Sequence, residues 1–172
     1  MKGGRPERTE ASTAALRGIA TLEGDATARG RRVAIVAARF NDSIVARLLN
    51  GAVEAWRERG GSAEHLTVAR VPGAFELPIA ARKLCGSGRY DAVVALGCVI
   101  RGDTPHFEYV AGECARGLTA ASLESGVPVA FGVLTVNTTE QALERAQAHG
   151  DNKGAEAMHT ALEMAGLMAR LA

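Results

Sequence analysis

The stretch YDAVVALGCVIRGDTPHFEYV, residues Tyr90 to Val110, passes from an apolar run through polar residues into a helical pattern within a few positions. Tyr90 to Ile100 is almost continuously apolar and rich in valine, as a strand is when both of its faces are covered. Arg101, Gly102, Asp103, Thr104, Pro105 and His106 follow, after which Phe107, Val110, Cys114 and Leu118 recur at helical spacing. Thr104 suits the N-cap of that helix and Pro105 its first position, where proline gives up only an N–H that would be unpaired. A helix starting this way turns free amides and partial positive charge toward whatever lies before it. An anion, phosphate above all, is the natural guest. His106 sits in the same first turn. A positive neighbourhood disfavours the imidazolium, so a neutral, proton-accepting imidazole is expected, although a lone histidine at a helix start is more often a solvent-facing cap residue.

Outward from this stretch, a chain of 172 residues is a single-domain length with room for a core. A formal net charge of +1 gives no reason to expect a nucleic-acid or acidic partner. Aromatic residues make up only 4%, and the four phenylalanines Phe40, Phe75, Phe107 and Phe131 all fall near strand ends or candidate site positions. A core built from Ala, Val and Leu does not need them there, so stacking on a flat ligand is a reading for some of them. Cys85, Cys98 and Cys114 are widely spaced and form no C-x-x-C, which predicts buried thiols of a reducing cytoplasm. His65, His106, His149 and His159 lack ligand spacing with one another or with cysteine, so no metal site is expected. No apolar run is long enough to span a membrane and no charged-then-apolar leader opens the sequence.

Residues 1–30 hold no period for long and are expected to form a flexible N-terminal arm, with Arg17 to Leu22 a short extended piece. Residues 31–172 form the single folded domain. Arg32 to Arg39 reads as the first strand, followed by a helix capped by Asp42 or Ser43, carrying Ile44, Leu48, Val53 and Trp56 and stopped by Gly60-Gly61. Glu64 to Val71 reads as a second strand and Ala74 to Cys85 as a second helix. The quoted strand comes third, its helix running from Thr104 to Ser125. Val127 to Val136 is the fourth strand, Thr138 or Thr139 caps a short helix EQALERAQA, and a last helix runs from Asn152 to Leu171. Four alternations of strand and helix predict an α/β three-layer αβα sandwich, flavodoxin-like, on a four-stranded parallel sheet with right-handed crossovers.

Ligands of such sheets bind beyond the carboxyl ends of the strands. Phe40 and Asn41 follow strand one, Gly73 to Glu76 follow strand two, and Val99 to His106 follow strand three. Phe131, early in strand four, and Arg145, well into the following helix, do not share that rim. They are either structural or lent to a neighbouring copy. Small residues along the third helix (Ala111, Gly112, Ala115, Gly117, Ala120, Ala121) permit close helix packing, so an oligomer with shared sites is a second expectation.

RFN at Arg39 to Asn41, VPGAFELP at Val71 to Pro78, GCVIRGDTPHFEYV at Gly97 to Val110, FGVLT at Phe131 to Thr135, EQALERA at Glu140 to Ala146 and NKGAEA at Asn152 to Ala157 stand in this order. As a set they resemble the lumazine synthase family, over nearly all of the chain from Val33 onward. The resemblance implies a cofactor-free condensation of 5-amino-6-(D-ribitylamino)uracil with 3,4-dihydroxy-2-butanone 4-phosphate, the penultimate step of riboflavin biosynthesis. It also implies homopentamers, which in some members close into an icosahedral, sixty-subunit shell, with or without a riboflavin synthase partner. The uninterrupted linker between Ala146 and Asn152 favours the shell. Gln147 stands where the family usually has glycine, and the amino-terminal arm is longer than usual.

Carried over by motif, Phe40 stacks on the pyrimidine, Ala74, Phe75 and Glu76 hold the ribityl chain, and Cys98, Val99 and Ile100 line the heterocycle. Asp103 and Thr104 match the phosphate side, with the backbone of Asp103 serving while its carboxylate points away. His106 matches the proton donor. Phe131 and Arg145 match residues given by the adjacent subunit, Arg145 gripping the phosphate with its planar fork. Asn41, Lys153 and Glu156 complete the candidate set, although Lys153 and Glu156, one turn apart, are equally readable as a surface ion pair. Two rival readings stand beside this one. A flavin- or nucleotide-binding module of the same fold is disfavoured because no G-x-G-x-x-G follows the first strand, and an inactive shell protein is disfavoured by the presence of both His106 and Arg145.

Overall fold

The computed structural model describes residues 16–148 and 150–172; residues 1–15 of the expected arm, and His149, lie outside the described residues. The sheet has four parallel strands, β1 (Val33–Ala38), β2 (Leu66–Val71), β3 (Ala92–Ile100) and β4 (Val129–Val136), in the order β2-β1-β3-β4. The helices are α1 (Asp42–Glu58), α2 (Leu77–Cys85), α3 (His106–Ser125), α4 (Thr139–Glu144) and α5 (Lys153–Leu171). All six residues of β1 and all but the last of β3 are buried, which is why both read as unbroken apolar runs. Of the edge strands, β2 has no fully buried residue, while β4 exposes Phe131 and Thr135 among buried neighbours.

Two apolar clusters fill the space on either side of the sheet. On one face Ile35, Leu96 and Leu134 meet Leu48 and Trp56 of α1 and Met158 and Leu162 of α5. On the other, Val36, Val93 and Val133 meet Leu77 of α2 and Cys114 and Leu118 of α3. The three-layer α/β sandwich read from the alternation of elements is therefore the fold.

Several boundaries differ from the sequence reading. Helix α1 is preceded by Asn41 in the left-handed conformation (φ 58°), and no side chain caps it; Asn41 instead donates from Nδ2 to the Cys98 carbonyl at 2.9 Å. Ala63–His65 forms a 3-10 turn ahead of β2, and Ala74–Glu76 another ahead of α2, because the chain turns sharply at each place. Thr104 does not cap α3: Pro105 (φ −63°) precedes His106 and no side chain accepts from the first-turn amides. Helix α4 ends at Glu144, since Lys153 N–H donates to the Arg145 carbonyl at 2.9 Å and draws the chain back toward α5. Arg145 thus follows the helix instead of lying within it. Thr138, one of the two threonines read as a cap, caps α4, and Asn152, read as the start of the last helix, caps it instead.

The piece expected to be extended over 17–22 holds a turn instead, with Gly18 at φ 83° and the Ile19 amide donating to Leu16 at 2.9 Å. Further on the chain lies against α5, where a Cβ on Gly24 would meet the Glu163 carbonyl oxygen at 1.7 Å. The small residues of α3 are used partly within the chain: a Cβ on Gly117 would come within 2.6 Å of Pro78 in α2, whereas Gly112 faces open space.

Candidate active site

A cavity of about 590 Å³ opens at the carboxyl rim of the sheet, lined by Phe40 after β1, Ala74, Phe75 and Glu76 after β2, Cys98, Val99 and Ile100 at the end of β3, and Thr104 and His106 at the start of α3. Gly73, Gly102, Phe107, Tyr109 and Val110 complete its wall. The backbone of Phe40 is pinned by its amide donating to the Pro72 carbonyl at 2.9 Å, while the ring is 71% exposed over the opening. A large apolar ring held in water by its own backbone is a surface for something flat. Asn41 joins the end of β1 to the end of β3 through the Cys98 carbonyl, which is thereby occupied.

Glu76 accepts the Gly73 amide on Oε2 at 2.9 Å, an arrangement that closes the turn after β2. Its other oxygen has no hydrogen-bond partner among the described residues and Glu76 lines the cavity, so it can accept from a hydroxyl. Burial pushes the Cys98 thiol up to about 11, which leaves it a neutral wall residue at ordinary pH. At the head of α3 the first-turn amides carry no side-chain cap and Thr104, His106 and Gly102 stand around them. Asp103 is exposed and does not line the cavity, although both of its neighbours do.

Phe131 and Arg145 are not in this cavity. They line a second hollow of about 480 Å³ along β4, together with Lys153, Glu156 and Thr160. The Phe131 ring is 47% exposed. Arg145 donates from Nη1 to the Gln141 carbonyl at 2.9 Å and keeps 42% of its side chain accessible. Lys153 donates to the two Glu156 oxygens at 2.8 and 2.9 Å and lies 3.1 Å from an Asp151 oxygen, and the hydrogen bond to Glu156 keeps the ammonium above its ordinary range. The candidate residues therefore form two groups on one chain, one around an apolar slot with an open helix start, the other an exposed ring beside two cations.

The chain matches the family model described as 6,7-dimethyl-8-ribityllumazine synthase over residues 30–169. It is 52% identical over 153 residues to proteins named 6,7-dimethyl-8-ribityllumazine synthase from Nitratidesulfovibrio vulgaris strains DP4 and Hildenborough, a match covering 89% of this chain and 98% of theirs. The Miyazaki F strain's protein of that name is equally similar. The chain belongs to the 6,7-dimethyl-8-ribityllumazine synthase family. The lumazine synthase resemblance carried by the six sequence blocks is thus the family itself, and the match spans every strand and both groups of candidate residues.

Motif reading did not single out Tyr109 or Val110 as wall residues. Their signal was the helical period itself, since Val110 follows His106 by one turn on the same side of α3.

Proposed function

We propose that this chain condenses 5-amino-6-(D-ribitylamino)uracil with 3,4-dihydroxy-2-butanone 4-phosphate, giving 6,7-dimethyl-8-ribityllumazine and inorganic phosphate. The observation that carries this reading is one cavity, in a member of that family, that gathers an exposed Phe40, a hydroxyl-accepting Glu76 and His106 at an uncapped helix start.

The pyrimidine lies against Phe40 over Val99 and Ile100, with its ribityl hydroxyls donating to Glu76. A carboxylate takes stronger hydrogen bonds from hydroxyls than a neutral oxygen does. The free amine attacks the ketone, and one water leaves as the imine forms. His106 then moves the proton whose loss lets the C–O bond to phosphate break, and ring closure by the ribityl-bearing nitrogen releases a second water. The phosphate faces the first-turn amides of α3 beside Gly102 and Thr104. Because Asp103 carries a like charge, only its backbone faces the anion. The assembly is a homopentamer in which Phe131 and Arg145 of one subunit close the next subunit's cavity, Arg145 meeting the phosphate with its fork and Lys153 and Glu156 supporting it. The uninterrupted linker after Ala146 favours further closure into a shell. The site lies in the reducing cytoplasm, in keeping with three free, buried cysteines.

The test is direct. Mixing the purified protein with both substrates yields the fluorescent lumazine and free phosphate in equal amounts; product no faster than the spontaneous background removes the enzymatic reading.

A further inference from the structure

Arg101 does not line the cavity, yet it ties the end of β4 to the first turn of α3 beside it. Its backbone amide extends the sheet by donating to the Val136 carbonyl at 2.9 Å. Its Nε donates to Asn137 Oδ1 beyond β4 at 3.0 Å, and Nη1 donates to the Glu108 carboxylate in the first turn of α3. The guanidinium carbon lies 4.2 Å from the centre of the Phe107 ring. Asn137 is fixed in turn, its amide donating to Gln141 Oε1 at 2.9 Å.

These contacts bracket a loop that has little else to define it. Residues 101–106 are all exposed, and a Cβ on Gly102 would meet nothing within 4 Å. No side chain caps the helix that follows. A loop without burial or a cap takes its shape from what ties its ends, and here Arg101 on the strand side is tied to Glu108 on the helix side. The hydrogen bond from Arg101 holds the Glu108 carboxyl below its ordinary range, so the tie stays charged at neutral pH.

We propose that Arg101 is a positioning residue, a clamp across the two ends of the loop that fixes how Gly102, Thr104 and His106 face the cavity. Planarity matters here, because a single flat group serves Asn137, Glu108 and the Phe107 face together, which a lysine ammonium cannot. An exposed ion pair adds little to stability. Small displacements of a catalytic group nevertheless cost rate steeply, about 10²-fold for 1 Å. The clamp therefore shows in turnover and in loop opening, not in the melting temperature.

The effect on rate rests on the proposed condensation, whereas the effect on loop opening does not. Arg101→Ala, Arg101→Lys, Glu108→Ala and the double variant Arg101→Ala/Glu108→Ala are compared with Arg82→Ala, which removes an exposed Arg–Glu pair remote from the cavity wall. Amide exchange over 102–106 is expected to quicken about tenfold in both alanine variants and not in the control, in line with local opening being governed by local ties. Turnover is expected to fall about tenfold in each, with no rescue by lysine and no further loss in the double variant, as for two halves of one device. Unchanged exchange in Arg101→Ala overturns the clamp. So does full activity in Glu108→Ala alongside a weakened affinity for the butanone phosphate in Arg101→Ala, since Arg101 would then be meeting the phosphate itself. Wild-type protein without turnover refutes the condensation alone, and the exchange result still decides the clamp.

Discussion

Cys98 and Cys114 are a neutral layer beneath the site, one in the cavity wall and one on the inner side of α3, and burial pushes both thiols up to about 11. A thiol whose folded value lies above its ordinary 9.0 binds its proton more tightly when folded. Stability from this source is complete below pH 9 and is lost as pH rises from 9 toward 11. Urea midpoints measured across that window should fall, and Cys98→Ala/Cys114→Ala should reduce the fall; an identical slope in the variant removes the thiols as its cause. Their burial was legible from spacing and context, as was the location of His106 by its proline. The role of Thr104 was not, since a capping threonine and a wall threonine have the same neighbours in sequence. Only the folded chain shows Thr104 on the cavity wall and no side-chain cap on α3. The partner of Asn41 was not legible either, because the Cys98 carbonyl is a long-range one.

Helices α1 and α5 cross with almost no space between them, and the reason is two glycines and an asparagine. A Cβ on Gly154 would sit 1.9 Å from the Leu48 carbonyl oxygen, and one on Gly51 would strike the Asn152 side chain at 2.3 Å. Asn152, 5% exposed, has its polar atoms satisfied: Oδ1 accepts the Gly154 and Ala155 amides at 2.9 and 3.1 Å, and Nδ2 donates to the Arg47 and Gln147 carbonyls at 3.1 and 2.9 Å. Gly154→Ala would gain about 1 kcal/mol of helix propensity. Forcing the helices apart should outweigh it, for a net loss of about 3 kcal/mol or more in urea unfolding. A midpoint within error of wild type would mean the crossing is looser than described. The helix start at Asn152 was readable from its type and the period that follows. The tie to Arg47 in a distant helix was not, because no local pattern encodes it.

The chain exposes large apolar side chains, among them Phe40, Phe75, Ile79, Tyr109, Leu123 and Phe131. The proposed assembly, in which Phe131 and Arg145 of one copy close the cavity of the next, leads to one expected outcome. His106→Ala and Arg145→Ala variants, each impaired alone, should regain activity when unfolded and reassembled together. Random mixing leaves about one quarter of the shared sites with both residues intact, by the symmetry of a ring with one kind of interface. Activity no greater than the average of the two variants would place both residues in the same subunit's site.

Local chemistry was sufficient to read four strands and the helices between them, because burial on two faces demands an unbroken apolar run and a packed helix face demands its own period. It was sufficient, too, for the residue types that stand at the carboxyl ends of β1, β2 and β3. The strand order, the division of the candidates into a cavity and a hollow along β4, and the closure of Arg101 onto Glu108 and Asn137 came only with the folded chain. Pairing between distant strands and ties across a loop depend on where packing brings segments together, which the spacing of residues along the chain does not record.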